Sequence, residues 1–159
     1  MTDITPFDAL KIISIKYEHK HGIYEGGILH GVPHGKGIDT SHEGETYTGD
    51  FVNGKFHGKG RVIMKKIKTF IQGNFEYGQI SGFAKRTSPM GTYKGNFVNS
   101  KRNGYGTYIW KDKKYKYIGM WKNGNQHGYG KFYKNNLLIE GNFVDGLFVE
   151  ELDQQLASQ

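Results

Sequence analysis

The sequence predicts an ordered, all-β and extended protein built from about six short β-hairpins. Three observations carry that expectation. Only 36% of the residues are hydrophobic while 24 are Gly, about twice the usual share of Gly. An ordinary aliphatic core is therefore out of reach, although the 159 residues match one domain in length. The chain nevertheless holds 11 Tyr, 10 Phe and 2 Trp. Rings bring much buried area per residue, so they can order a thin sheet where a Gly-rich, polar chain would otherwise stay disordered. Thirdly, glycine and aromatic residues recur with a fixed period.

The period is found by aligning Tyr24, Tyr47, Ile71, Tyr93, Tyr117 and Ile139 as position zero, at intervals of 23, 24, 22, 24 and 22 residues. Position +2 is then Gly in every unit: Gly26, Gly49, Gly73, Gly95, Gly119 and Gly141. Position +4 is Ile28, Phe51, Phe75, Phe97, Trp121 and Phe143. Position +7 is Gly31, Gly54, Gly78, Ser100, Gly124 and Gly146. Position +11 is Gly35, Gly58, Gly82, Gly104 and Gly128, and position +13 is Gly37, Gly60, Ala84, Gly106 and Gly130.

Each position has a physical reading. Asn53-Gly54, Asn123-Gly124 and Asp145-Gly146 carry the signature of a two-residue hairpin turn with both residues at positive φ. With the turn at +6 and +7, facing offsets sum to 13. Tyr47 is then expected opposite Gly60, Gly49 opposite Gly58, and Phe51 opposite Phe56. Offsets 0, +2 and +4 share one strand face, so the rings are expected to lie across a bed of glycines and shield its backbone.

The pattern Y-x-G-x-[WF]-x-x-G-x-x-x-G-x-G resembles the MORN repeat. Tyr47 through Gly60 and Tyr117 through Gly130 match it at every position, and Ile28, Ile71, Ala84, Ser100 and Ile139 depart from it. The resemblance implies hairpins stacked into an elongated, single-layered antiparallel sheet, roughly 10 Å per repeat. Residues 1–22 are then an N-terminal cap and lead-in strand, with Ile13 to Tyr17 as the strand and Thr5-Pro6-Phe7-Asp8 as the start of a short helix. Residues 23–148 are the array. Residues 149–159 are a tail or capping helix, with helical character from Phe148 to Leu156.

Composition and motif spacing exclude much chemistry. The absence of Cys removes disulfides, thiolate zinc sites and Cys nucleophiles. Met1 to Leu10 shows no secretory leader pattern, and no apolar run reaches membrane-spanning length. Gly54 to Lys59 imitates a phosphate loop, but no Ser or Thr follows the Lys and a strand is expected where a helix would be needed. His34, His57 and His127 share position +10, yet repeats roughly 10 Å apart do not bring ligands to about 2 Å from one metal. Glu25, Asp50, Glu76 and Glu140 fall on the face opposite the rings, as a solvated surface does. No cofactor, no metal and no enzymatic activity are expected.

What remains is binding. The first expectation, implied by the resemblance, is a protein-protein interaction scaffold within a cytoskeletal, ciliary or cortical assembly in the cytoplasm. A groove drawn from Tyr47, Phe51, Phe75, Tyr93, Phe97, Tyr117 and Trp121, some of which must be structural so that only part of the set is interfacial, would hold an extended segment or helix of another protein, with Tyr105 and Tyr129 on the opposite face. The alternative is a peripheral membrane module. The net charge is +7, and Lys65, Lys66, Lys68, Lys111, Lys113, Lys114 and Lys116 cluster in the turns between repeats, suited to anionic lipid headgroups or simply to keeping sheet edges soluble. The resemblance also implies a third expectation, a targeting arm of an enzyme as in lipid-kinase and methyltransferase relatives; with no room here for a catalytic domain, it requires the enzyme to be a separate subunit. Nucleic acid is disfavoured because the rings are committed to the glycine bed. Self-association through an end strand is a further expectation.

Overall fold

The computed structural model describes residues 13–135 and 137–149. Every regular element among them is a strand. There are thirteen, antiparallel, in a sheet order identical to chain order, so the expected all-β sheet of hairpin repeats is the fold. The chain divides into two compact units, Met1–Ile80 and Ser81–Gln159.

The first unit carries β1 (Ile13–His19), β2 (Gly22–Leu29), β3 (Val32–Ser41), β4 (Glu45–Val52), β5 (Lys55–Met64), β6 (Thr69–Glu76) and the first residues of β7 (Gln79–Ser88). The lead-in strand expected before the first repeat is β1, which sets Tyr17 opposite Tyr24. The second unit holds the rest of β7, then β8 (Gly91–Val98), β9 (Lys101–Trp110), β10 (Tyr115–Lys122), β11 (Asn125–Lys134), β12 (Leu137–Val144) and β13 (Leu147–Val149). Phe148 and Val149 are thus strand, where helical character was expected. The rest of that segment and the helix start at Thr5 to Asp8 lie outside the described residues.

All six hairpin turns have the expected geometry. The +6 residues His30, Asn53, Tyr77, Asn99, Asn123 and Asp145 have φ between 48° and 52°, and the +7 residues follow at 62° to 97°. Asn, Asp and Gly tolerate this region, which explains three of the six sequences directly. Four of the turns also lean on the hairpin before them. The Gly54 N–H donates to the Pro33 carbonyl at 2.9 Å, Gly78 to Phe56 at 2.9 Å, Gly124 to Arg102 at 2.9 Å and Gly146 to Gln126 at 2.9 Å.

The register departs from the expected sum of 13 beyond the first pairs. Phe51 does face Phe56, but Gly49 faces Gly60 rather than Gly58, and Tyr47 faces Val62 rather than Gly60. The cause is a bulge: Gly58 and Lys59 intervene between His57, opposite Asp50, and Gly60, opposite Gly49. Gly58 has φ 56°, a conformation that a glycine allows at little cost. Position +11 is therefore glycine to make the bulge, not to face position +2.

The bulge has a consequence for packing. Positions +2 and +13 now pair within four hairpins and also between hairpins. In the first unit the row runs Gly26, Gly37, Gly49, Gly60, Gly73. In the second it runs Ala84, Gly95, Gly106, Gly119, Gly130, Gly141. The tyrosines at position 0 lie along this row. A β-carbon on Gly49 or Gly60 would stand 2.5 or 2.4 Å from the Tyr47 hydroxyl oxygen, and one on Gly95 or Gly106 would stand 2.5 or 2.3 Å from that of Tyr93. Only a residue without a side chain admits a ring there, so the fixed glycine spacing is steric in origin.

Candidate functional site

The face that carries positions 0 and +4 is a ladder of rings. In the first unit, the Phe51 ring stands edge-on between Tyr24 and Tyr47, with centroids 5.1 Å from each, and Tyr47 meets Phe75 at 5.3 Å. In the second, Trp121 stands between Tyr93 and Tyr117, at 5.2 Å from each, and Tyr117 continues to Phe143 at 5.0 Å. Edge-to-face packing of this kind is favourable beyond the area it buries. The phenol oxygens are also satisfied locally: each tyrosine hydroxyl at position 0 donates to the carbonyl three residues on. These bonds are Tyr24 to Gly27 at 2.7 Å, Tyr47 to Asp50 at 2.9 Å, Tyr93 to Asn96 at 3.1 Å and Tyr117 to Met120 at 3.0 Å. Burial pushes the pKa of Tyr47, Tyr93 and Tyr117 up to about 12, because the ionised phenol loses water in this setting.

This arrangement corrects the expected partner groove. Tyr47, Phe51, Phe75, Tyr93, Phe97, Tyr117 and Trp121 are each no more than 5% exposed. They are the core of the protein. Ring packs on ring and ring on glycine so closely that these side chains offer a partner no free surface.

The opposite face is different. Tyr105 and Tyr129, expected there from position +12, are 61% and 54% exposed. Phe83 holds the same position in its own repeat and is 61% exposed. Sequence reasoning passed over it although its offset was the signal. In register these residues face Asn96 (Phe83), Met120 (Tyr105) and Asn142 (Tyr129). In the first unit the same position is Lys36 and Lys59, and the face carries ion pairs: Lys16 with Glu25 at 3.4 Å and Lys36 with Asp50. Exposed pairs of this type add little stability and mark a solvated surface. Glu140, on the corresponding face of the second unit, pairs with Lys131 at 3.0 Å.

The lysine clusters separate into turn and strand. Lys65, Lys66 and Lys68 are exposed in the β5–β6 turn, together with Ile67 at 52%. Lys111, Lys113 and Lys114 are exposed in the β9–β10 turn, where the Asp112 carboxylate accepts the Lys114 backbone N–H at 3.0 Å. Lys116 belongs instead to β10, with its ammonium 4.1 Å from the centre of the Tyr133 ring. His34, His57 and His127 are half-buried in separate repeats. Among the described residues no group of three or more His, Asp or Glu side chains is placed to hold a metal ion.

One departure from the repeat alters the ring face of the second unit. At position +9 the second repeat has Phe56, stacked flat on Tyr47 with centroids 3.8 Å apart and planes within 5°. The fourth repeat has Arg102 in that slot. Its guanidinium lies 4.3 Å from the Trp121 ring centre, 5.3 Å from Tyr108 and 5.8 Å from Tyr93.

Comparison with known proteins bears on the whole array. The family model of the MORN repeat matches residues 24–38, 47–63, 72–92, 93–115 and 117–137, five stretches that begin at or within one residue of position 0. No curated protein matches the chain.

Proposed function

Because the chain belongs to the MORN-repeat family, we propose that it is a non-catalytic scaffold that binds other proteins as part of a cytoskeletal, ciliary or cortical assembly in the cytoplasm. MORN repeats occur in protein-interaction and membrane-binding modules, and proteins built from them are generally non-catalytic. The observation that carries the protein-binding reading is the row of exposed rings on the second unit, Phe83, Tyr105 and Tyr129. Large rings fixed on a rigid strand make contact at low entropic cost, and such rings are the usual anchors of protein interfaces. The first unit fills the same slot with Lys36 and Lys59, so the repeat itself does not require an aromatic residue there.

A second reading is a peripheral membrane module that binds anionic phospholipid headgroups. The β5–β6 turn favours it, because an exposed Ile67 is flanked by Lys65, Lys66 and Lys68. An apolar tip among cations suits an anionic bilayer surface.

Affinity capture from native cells, in low and in moderate salt, separates the two. A set of proteins retained in moderate salt, and lost when Tyr105 and Tyr129 are both changed to Ala, is the expected result. Recovery of membranes alone, lost as salt rises, replaces the scaffold reading with the lipid one.

A further inference from the structure

The ring face of the second unit is not closed. A cavity of about 350 Å³ opens there, lined by Arg86, Ser88, Tyr93, Lys101, Arg102 and Tyr108 among others. Three of these side chains are cations, and no carboxylate lines the cavity. Among the described residues neither arginine has an acidic partner, since the ion pairs there involve Lys and His donors. Arg86 stands at position +15, directly opposite Tyr93. The same position is Asp39, Val62, Tyr108 or Phe132 in other repeats, and position +9 is Pro33, Phe56, Ile80 or Gln126 where it is not Arg102. The cations therefore serve no requirement of the repeat.

Cation and ring contacts fix the geometry of Arg102. Three aromatic ring centres lie within 6 Å of the guanidinium carbon, and a guanidinium carries N–H donors that a carboxylate or phosphate accepts in pairs. Burial draws the Arg102 pKa below its ordinary value, and the charge of Arg86 acts in the same sense. An anion placed between the two would relieve both effects.

We propose that this cavity is a receptor for an acidic side chain, a carboxylate or a phosphorylated residue, on a polypeptide segment bound by the second unit. The inference rests on the protein-binding reading above and adds the chemistry of the partner. A cavity of about 350 Å³ admits an acidic side chain with part of its flanking backbone, not a folded surface. The two arginines set the charge, and Tyr108, which is partly exposed, supplies an apolar wall beside the ion pair.

The test uses the full chain and three short peptides of one sequence: one with Glu at its centre, one with phosphoserine there, and one with Gln. Calorimetry gives the affinities, and the Nε–Hε resonance of Arg102 reports the site. The expected result is that the Glu or the phosphoserine peptide binds, shifts that resonance and weakens as salt rises, while the Gln peptide does not bind. Whichever acidic peptide binds tighter identifies the anion. Arg86→Gln, an exposed change, and Arg102→Phe, which copies the Phe56 stack and keeps the fold, each weaken binding about tenfold or more.

Equal binding by wild type and both variants overturns the proposal, as does no binding of either acidic peptide. Binding to phosphatidylserine vesicles that depends on Arg86 and Arg102, without peptide binding, also overturns it and assigns the cavity to a membrane surface. Protein capture that survives while the acidic peptides fail removes this inference and leaves the scaffold reading standing.

Discussion

The hydroxyl oxygen of Tyr117 lies 2.3 Å from the place where a β-carbon on Gly130 would stand, with the ring Cζ only 2.5 Å from it. Tyr117 is fully buried and donates its hydroxyl hydrogen to the Met120 carbonyl. The ring therefore cannot move aside without losing both packing and that bond. Gly130→Ala is expected to destabilise the fold by about 2–3 kcal/mol. Gly124→Ala is the control, because its φ is 97° and nothing lies within 4 Å of the added carbon. It should cost only about 1 kcal/mol, the backbone term. Urea denaturation of both variants measures the difference, and equal losses would show that glycine spacing reflects backbone conformation rather than ring clearance.

Changing a ring in the ladder and changing one on the outer face should have opposite signatures. Phe97→Ala removes a side chain that is 1% exposed and should cost about 3–5 kcal/mol. Tyr105→Ala, on the open face, should change stability by no more than about 0.5 kcal/mol and act on partner capture alone. A stable Phe97→Ala protein that had lost its partners would restore the ring ladder as a contact surface.

The tyrosine ladder should fail at high pH. Burial holds Tyr47, Tyr93 and Tyr117 at about 12, against about 10 for an unfolded tyrosine. The folded state thus favours the neutral phenol. The stability this provides is complete below pH 10 and is lost as pH rises from about 10 to about 12. Absorbance at 295 nm should show a late phase of tyrosinate formation that coincides with loss of the β signal in circular dichroism. Complete ionisation of all tyrosines with the sheet intact would contradict it.

Reversing charge at Lys65, Lys66, Lys113 and Lys114 to Glu touches only exposed turn residues. Stability should hold within about 0.5 kcal/mol per site, and the captured protein set should be unchanged. Sedimentation with anionic vesicles supplies the other arm. If the wild type sediments and the variant does not, while protein capture fails for both, the lysine turns are the functional surface.

Much of this architecture could be read from residue order, and the limits have physical causes. The Asn53-Gly54 turn and the Phe51–Phe56 pair follow from turn chemistry, which acts over two or three residues. The bulge at Gly58 escaped because a glycine that faces a ring and a glycine that turns left-handed look the same in sequence. The role of the rings at positions 0 and +4 was misassigned for a related reason. Periodicity places Tyr93 and Trp121 on one face, but whether a face is open depends on how completely each ring is covered by the next repeat. Arg102 passed unremarked because position +9 holds no fixed residue type, and its meaning emerges only once three rings surround it.

The glycine row has a consequence for how such a chain can change over generations. Gly106 meets Gly119 across a boundary between repeats, and Gly119 meets Gly130 inside one, by the same pairing. Excision of residues 95–118 would carry Gly119 to the place of Gly95, opposite Ala84, and the neighbouring strands would find the partner they already had. Unequal recombination between repeats can then lengthen or shorten the coding sequence by one period without creating a junction that needs a new solution. The outer slots hold Phe83, Tyr105 and Tyr129 in one unit and Lys36 and Lys59 in the other, so a repeat gained or lost carries the chemistry of its outer slot with it.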